Sequence, residues 1–350
     1  MISQSFLIAG RAIGADHTPF VIAEMSANHN GDLERAFAIM AAAKAAGAHA
    51  LKIQTYTADG ITIDHDGSGF RIEGGLWDGR TLHELYSAAH TPWDWHPALF
   101  AKGRELGLIV FSSPFDLAAV DLLESLNTPA YKIASFELVD LPLIRCCAAT
   151  GKPLIMSTGM ADLEDIGLAI KVAREAGASE IALLHCTSGY PTPPEDADLR
   201  TIPHLADAFG LVTGLSDHTP GIGAAVAATA LGSALVEKHF TLSRADGGPD
   251  AAFSLEPPEL AAMCAEVDIA WRALGRIRYD KSDSEKGNVQ FRRSLYVVAD
   301  LAEGERLTAE NLRSIRPGFG LAPRYFDLLL GKQVNRAISR GTPMSWDFIG

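Results

Sequence analysis

A chain of 350 residues can bury a sizeable core and has the length of one large domain plus a small one; 47% hydrophobic and 21% charged residues mark it as globular rather than disordered. Its net charge of −13 argues against nucleic acid, whose backbone needs clustered Lys and Arg, but not against a small anion held by a few lysines and backbone amides. No stretch reaches membrane-spanning length and residues 1–20 lack a basic start followed by a sustained apolar run, so a soluble cytoplasmic protein without membrane partners is expected. Cys146, Cys147, Cys186 and Cys264 show no CxxC spacing and read as reduced core thiols.

In chain order, short apolar runs alternate with Ala- and Leu-rich amphipathic segments. FVIAEM (20–25) is followed by a helix over 33–47, ALKIQT (50–55) by a long connection, and LIVFSSP (108–114) by a helix over 116–126. AYKIAS (130–135) comes next, then PLIMSTG (153–159) with a helix over 163–177, EIALLHC (180–186), LVTGLSD (211–217) with a helix over 223–232, and LVEKHF (235–240). Eight strand-helix repeats over roughly 250 residues predict an α/β fold, a (β/α)8 TIM barrel. An open doubly wound sheet is the alternative, but no GxGxxG turn follows the first run. The connection 56–91 is too long for a plain barrel loop and reads as a substrate-facing excursion with a short helix near Leu82–Ala89, ending at a helix that begins near Pro92.

Polar residues gather toward the C-terminal ends of these runs: Glu24, Lys52, Gln54, Ser112, Ser113, Lys132, Ser135, Ser157, Thr158, His185, Ser216, Asp217, Lys238 and His239. In a barrel, those ends converge on one mouth, where active sites lie. His218 and His239, from the seventh and eighth runs, aim at the same space. Two readings stand: an open divalent metal site, or a pair of hydrogen-bonded core histidines. His185 reads as structural. Lys52, Lys132 and the hydroxyl-rich turns SSPF (112–115), ASFE (134–137) and STGM (157–160) suit phosphate and carboxylate recognition. A barrel lysine forming a Schiff base, as in pyruvate-dependent aldolases, is the rival chemistry.

Beyond a catalytic domain over 1–275, residues 276–290 are polar and charged and read as a linker to a module over 291–350. The module carries a weak repeat: LAEGERLTAENL (301–312) aligns with ISRGTPMSWDFI (338–349). Between them, RPGFGLAP (316–323) reads as a rigid loop presenting Arg316.

AEMSANHNGD (23–32), LKIQTY (51–56), SSPFD (112–116), YKIASFE (131–137), STGM (157–160), LHCTSGYPTP (184–193), GLSDHT (214–219), EKHFTL (237–242) and RPGFG (316–320) together resemble the nonulosonic acid synthases, the sialic acid synthase family. The resemblance spans nearly the whole chain, and the C-terminal module is similar to the type III antifreeze-like, or SAF, domain. GLWDGRTLHELYSAAHTPWDWH (75–96) and GGPDAAFSLEP (247–257) resemble the pseudaminic acid branch more than the N-acetylneuraminate branch. The resemblance implies condensation of phosphoenolpyruvate with an open-chain amino sugar, with release of phosphate. In the pseudaminic branch the sugar is 2,4-diacetamido-2,4,6-trideoxy-L-altrose; the sialic and legionaminic branches take N-acetylmannosamine or a related amino sugar.

It also implies a divalent ion (Mn²⁺, Mg²⁺ or Co²⁺) held by His218 and His239, and a phosphate and carboxylate site made of Lys52, Lys132, Ser113, Ser135, Ser157, Ser188 and Ser216. At the Ser188 position the sialic branch can carry Asn. Glu24, Glu137, Tyr190 and Asp250 match positions around the sugar and the reacting centre, with Glu24 and Glu137 handling protons. A domain-swapped homodimer is implied too, in which the SAF module caps the other subunit's barrel and Arg316 reaches the sugar. A carbohydrate- or ice-binding protein on a vestigial barrel is the non-enzymatic alternative; the intact His pair and lysines weigh against it.

Overall fold

The computed structural model describes residues 5–350. The chain divides into two compact units, Met1–Gly275 and Arg276–Gly350. The first opens with an antiparallel hairpin, β1 (Phe6–Ile8) and β2 (Arg11–Ile13). Eight parallel strands follow: β3 (Phe20–Glu24), β4 (Ala50–Thr55), β5 (Ile109–Pro114), β6 (Tyr131–Ile133), β7 (Leu154–Ser157), β8 (Ile181–Cys186), β9 (Val212–Asp217) and β10 (Leu235–His239). They pair in sequence order and β10 closes on β3, so the expected TIM barrel is present. Almost every strand residue is buried, which is why the runs read as continuous apolar stretches: helices cover the outside and side chains fill the inside.

The outer layer contains α1 (Leu33–Ala45), α2 (Ala58–Ile61), α3 (Leu82–Ala89), α4 (His96–Leu106), α5 (Leu117–Ser125), α6 (Leu141–Ala149), α7 (Leu163–Glu175), α8 (Thr201–Phe209), α9 (Gly223–Ala230) and α10 (Pro257–Leu274). Aspartates end several strand-to-helix turns: Asp32, Asp116, Asp140 and Asp162 each accept a hydrogen bond from a first-turn amide. The expected helix at Pro92 begins four residues later, because a 3-10 turn over Trp93–Trp95 intervenes and His96 Nδ1 bonds the Pro92 carbonyl. Among the described residues no helix is long and apolar enough to cross a membrane.

The hairpin was not expected. Its three-residue strands are too short to show periodicity. Phe6, Ile8 and Ile13 pack with Phe20, Ile22, Phe111, Ile155 and Leu235 from the lower parts of the barrel strands, closing the end opposite the mouth.

In the second unit, β11 (Ser294–Val297) and β12 (Leu312–Ile315) pair antiparallel over a small core that includes Leu301, Leu307, Val334, Ile338 and Met344. The sequence repeat is a structural one. Its first residues, Leu301 and Ile338, exchange backbone hydrogen bonds of 2.8 and 2.9 Å. Leu307 and Met344 are equally buried, and Glu310 N donates to Thr308 Oγ1 at 3.3 Å just as Asp347 N does to Ser345 Oγ at 3.3 Å. The loop bearing Arg316 is pinned by Ser294, whose Oγ donates to Pro317 O at 2.7 Å and accepts from Gly320 N at 2.9 Å.

Candidate active site

Strand pleating turns alternate residues inward. In the lower barrel the inward positions are apolar: Phe20, Ile22, Ala50, Phe111, Ala130, Ile155, Ala182, Leu184, Val212 and Leu235 form one cluster. Two residues further along the same strands stand Glu24, Lys52, Ser113, Lys132, Ser157, Cys186 and Glu237, all buried. The chemistry of the mouth is therefore the upper layer of the same columns that make the core below it.

Glu237 is the hub of this layer. Its Oε1 lies 3.0 Å from Lys52 Nζ and 3.5 Å from Lys132 Nζ, and accepts from Ser216 Oγ at 3.0 Å. Lys52 Nζ also reaches Glu24 Oε2 at 3.4 Å and Ser113 Oγ at 3.5 Å, and Lys132 donates to Ser157 Oγ at 2.6 Å. Gln54 Nε2 donates to Glu24 Oε1 and Ser26 Oγ, both at 2.9 Å. The two carboxylates diverge. Burial pushes Glu24 up to about 7, against the pull of Lys52 and aided by the charge of Glu237. Burial opposes ionisation of Glu237 too, yet Lys132 and Lys52 hold it well below the usual carboxylate range. Burial pulls the Lys132 ammonium down, whereas for Lys52 the pull of burial is outweighed by Glu237 and Glu24.

A hydroxyl cradle adjoins the lysines. Gly159 N donates to Ser135 Oγ at 3.1 Å, and a Cβ on Gly159 would run into both Ser188 Oγ and Ser135 Oγ. Three strand-to-helix turns thus bring Ser135, Gly159 and Ser188 together beside Cys186, whose Sγ is 3.9 Å from Ser188 Oγ. Glu137, on the 3-10 turn that follows β6, is pushed by burial to about 7.

His218 and His239 face one another with ring centroids 5.4 Å apart. His218 Nδ1 donates to Thr187 O at 3.0 Å, which leaves Nε2 as the ring's free lone pair. Burial, with the charges of His218 and Lys52, holds His239 well below its ordinary value, so its imidazole is neutral; its buried Nδ1 has no hydrogen-bond partner and lies 4.0 Å from Asp250 Oδ2. Two neutral-capable imidazoles with unused nitrogens fit a divalent ion. Among the described residues no group of three or more His, Cys, Asp or Glu side chains is placed to hold one, so the protein would supply two ligands and leave the rest of the shell open. Tyr190 leans over the pair, 4.5 Å from His218 and 6.4 Å from His239 between centroids, and burial keeps its phenol protonated. Asp250 accepts from Ala27 N at 3.3 Å.

The barrel residues expected at the site from the first unit converge. Four others, expected at the mouth because of their position along the strands, are turned by the pleat to the helix side. Ser112 bonds Thr55 Oγ1 at 2.6 Å and Ile53 O at 3.0 Å, and His185 Nε2 donates to Ala197 O at 2.7 Å, the structural role expected of it. Lys238 Nζ pairs with Asp217 Oδ2 at 2.5 Å and donates to Thr219 O. Glu237 was missed as a site residue; period-two alternation from His239 would have found it. Arg316 belongs to the second unit.

A model of the NeuB family matches residues 39–279, and a SAF domain model matches residues 292–349. The pseudaminic acid synthase of Campylobacter jejuni is 44% identical over 326 residues, 93% of this chain and 95% of that one. That of Helicobacter pylori is 43% identical over 333 residues, 95% and 98% of the two chains. A crystal structure of N-acetylneuraminic acid (sialic acid) synthetase from Leptospira borgpetersenii superposes with a TM-score of 0.73 at 29% identity, covering 83% of this chain and 96% of that one. The chain belongs to the NeuB family and carries a SAF domain at its C-terminal end.

Proposed function

We propose that the chain condenses phosphoenolpyruvate with 2,4-diacetamido-2,4,6-trideoxy-L-altrose and water to give pseudaminic acid and phosphate. The observation that carries this reading is the junction of two unlike subsites in one mouth. Lys52 and Lys132 meet on Glu237 among the serines, and the imidazole pair with Tyr190 and Asp250 stands in the same mouth. The choice of sugar is supported by 44% identity to a pseudaminic acid synthase against 29% to the sialic acid synthetase.

In this reading Lys52 and Lys132, with Ser113, Ser135, Ser157, Ser188 and Ser216, hold the phosphate and carboxylate of phosphoenolpyruvate. A divalent ion (Mn²⁺, Mg²⁺ or Co²⁺) on His218 and His239 would polarise the sugar aldehyde. The enol carbon attacks the aldehyde carbon and forms the new C–C bond. Water then adds to the resulting oxocarbenium centre, and phosphate leaves with C–O cleavage. Glu24 and Glu137, both raised to about 7, can take and return protons near neutral pH. Tyr190 and Asp250 face the sugar. In a domain-swapped homodimer, Arg316 would reach the sugar's acyl group from the other subunit; full activity in a chain truncated at Asp280 would sink that part. The enzyme works in the cytoplasm. A Schiff-base aldolase is the second reading, favoured only by the depressed Lys132 ammonium.

The test is phosphate release from phosphoenolpyruvate with the L-altrose sugar, N-acetylmannosamine or the bacillosamine-derived sugar of the legionaminic branch, each with and without a chelator. Release with the L-altrose sugar alone, abolished by chelation, is expected. Release with N-acetylmannosamine instead would move the chain to the sialic branch, and borohydride trapping with pyruvate would favour the aldolase.

A further inference from the structure

The connection between β4 and α4 is an ordered arm. Ile72 N donates to Arg80 O and Gly79 N to Ile72 O, both at 2.9 Å, and Leu82 N donates to Phe70 O at 2.8 Å. Gly74 and Gly75, with φ of 80° and 74°, turn its tip in a region that side chains disfavour. The next residues are Leu76, 50% exposed, and Trp77, half-buried.

Trp77 is fixed at both ends. Its indole Nε1 donates to Pro249 O at 3.0 Å, the residue before Asp250. Its ring lies 6.0 Å from that of Tyr190, which is 5.3 Å from Phe253 and 4.5 Å from His218 between centroids. The arm therefore extends an aromatic wall, Trp77, Tyr190 and Phe253, that ends at the imidazole pair. Elsewhere the mouth is charged, where Lys52 pairs with Glu24 and Glu237.

We propose that Trp77 is a specificity-determining residue, forming with Tyr190 and Phe253 an apolar wall against the deoxygenated end of the acceptor sugar. This rests on the reading above, in which the sugar aldehyde lies at His218 and His239 and the chain runs outward from it. Aromatic faces gain from contact with C–H and methyl groups, whereas a hydroxyl pressed against them loses its water without a partner. Such a wall selects a 6-deoxy acceptor over its 6-hydroxy counterpart, and a single hydroxyl opposed to an apolar surface is worth about 10²-fold in discrimination.

Wild type, Trp77→Ala and Trp77→Phe are compared by steady-state phosphate release with saturating Mn²⁺. The acceptors are 2,4-diacetamido-2,4,6-trideoxy-L-altrose and the same sugar bearing a 6-hydroxyl. In Trp77→Ala the KM for the deoxy sugar should rise by about tenfold or more, the KM for phosphoenolpyruvate should stay within about twofold, and the kcat/KM preference for the deoxy sugar should shrink by about tenfold. Trp77→Phe loses the bond to Pro249 O but keeps a ring, and should retain most of the preference. A preference unchanged in Trp77→Ala, or lost equally in Trp77→Phe, overturns the proposal, the second result pointing to the Pro249 contact instead. A wild type that prefers N-acetylmannosamine overturns the sugar assignment itself, and this is visible before any variant is made.

Discussion

Neighbouring residues on β10 place two kinds of buried ion pair back to back. On the helix side Lys238 is closed off: Asp217 Oδ2 lies at 2.5 Å, and Asp217 Oδ1 accepts from both the amide and the hydroxyl of Thr219 at 2.8 Å. On the mouth side Lys52 and Lys132 share one oxygen of Glu237, while Glu237 Oε2 is buried without a hydrogen-bond partner and Glu24 Oε2 has only the 3.4 Å approach of Lys52 Nζ. Composition does not separate the two, since each sets lysine against carboxylate at full burial. What separates them is satisfaction. A fully paired group costs the fold much only when one partner is removed, whereas buried polar atoms without partners cost free energy as they stand and are candidates for chemistry.

The closed pair should show the largest effect. Asp217→Ala leaves a buried ammonium facing the Thr219 carbonyl alone and removes the acceptor of Thr219, so unfolding free energy should fall by about 3–5 kcal/mol in denaturant titration. The double replacement Asp217→Leu with Lys238→Met should recover most of that, because a well-packed apolar pair can match a buried ion pair. If Asp217→Ala melts like wild type, the pair is not structural and the contrast with the mouth fails.

Lys132→Met sharpens the contrast from the other side. Phosphate release should slow by roughly 10²–10³-fold, the usual cost of one aimed electrostatic donor. Its thermal midpoint should fall less than that of Asp217→Ala. Burial already disfavours this ammonium, and Glu237 keeps Lys52. Equal loss of stability in the two variants would make Lys132 a structural residue.

The barrel was legible because each strand is buried on both faces and so stands out as an apolar run, and all eight runs match the strands within two residues at either end. The His pair, the lysines and the serines were legible because strand ends in a barrel converge. The polar tips Ser112, Asp217 and Lys238 were misplaced because closeness to a strand end says nothing about which way the pleat turns a side chain. Glu237 was passed over for the same reason, lost in the run Glu237–Lys238–His239. Trp77 was invisible for another: its importance comes from a hydrogen bond to Pro249, 172 positions away, made possible by the fold of an arm without periodic pattern.

Glu137 offers the finest discrimination, because it tests whether an unsatisfied carboxyl at the mouth weakens the fold it sits in. Its Oε2 is buried without a partner, and burial raises it from 4.5 to about 7. Below pH 4.5 both folded and unfolded chains hold the proton and nothing is lost. As pH rises toward 7 the unfolded chain ionises first, so the folded state loses stability relative to it, and the loss is complete once the folded carboxyl has ionised. Glu137→Gln removes the ionisation. It should match wild type near pH 4 and exceed it above pH 7 by up to about 3 kcal/mol, while phosphate release falls. Denaturation midpoints of the two proteins across that range give the result directly. A stability difference independent of pH would mean that Glu137 does not ionise in this window, removing it from the proposed proton-handling pair and leaving Glu24 alone in that proposal.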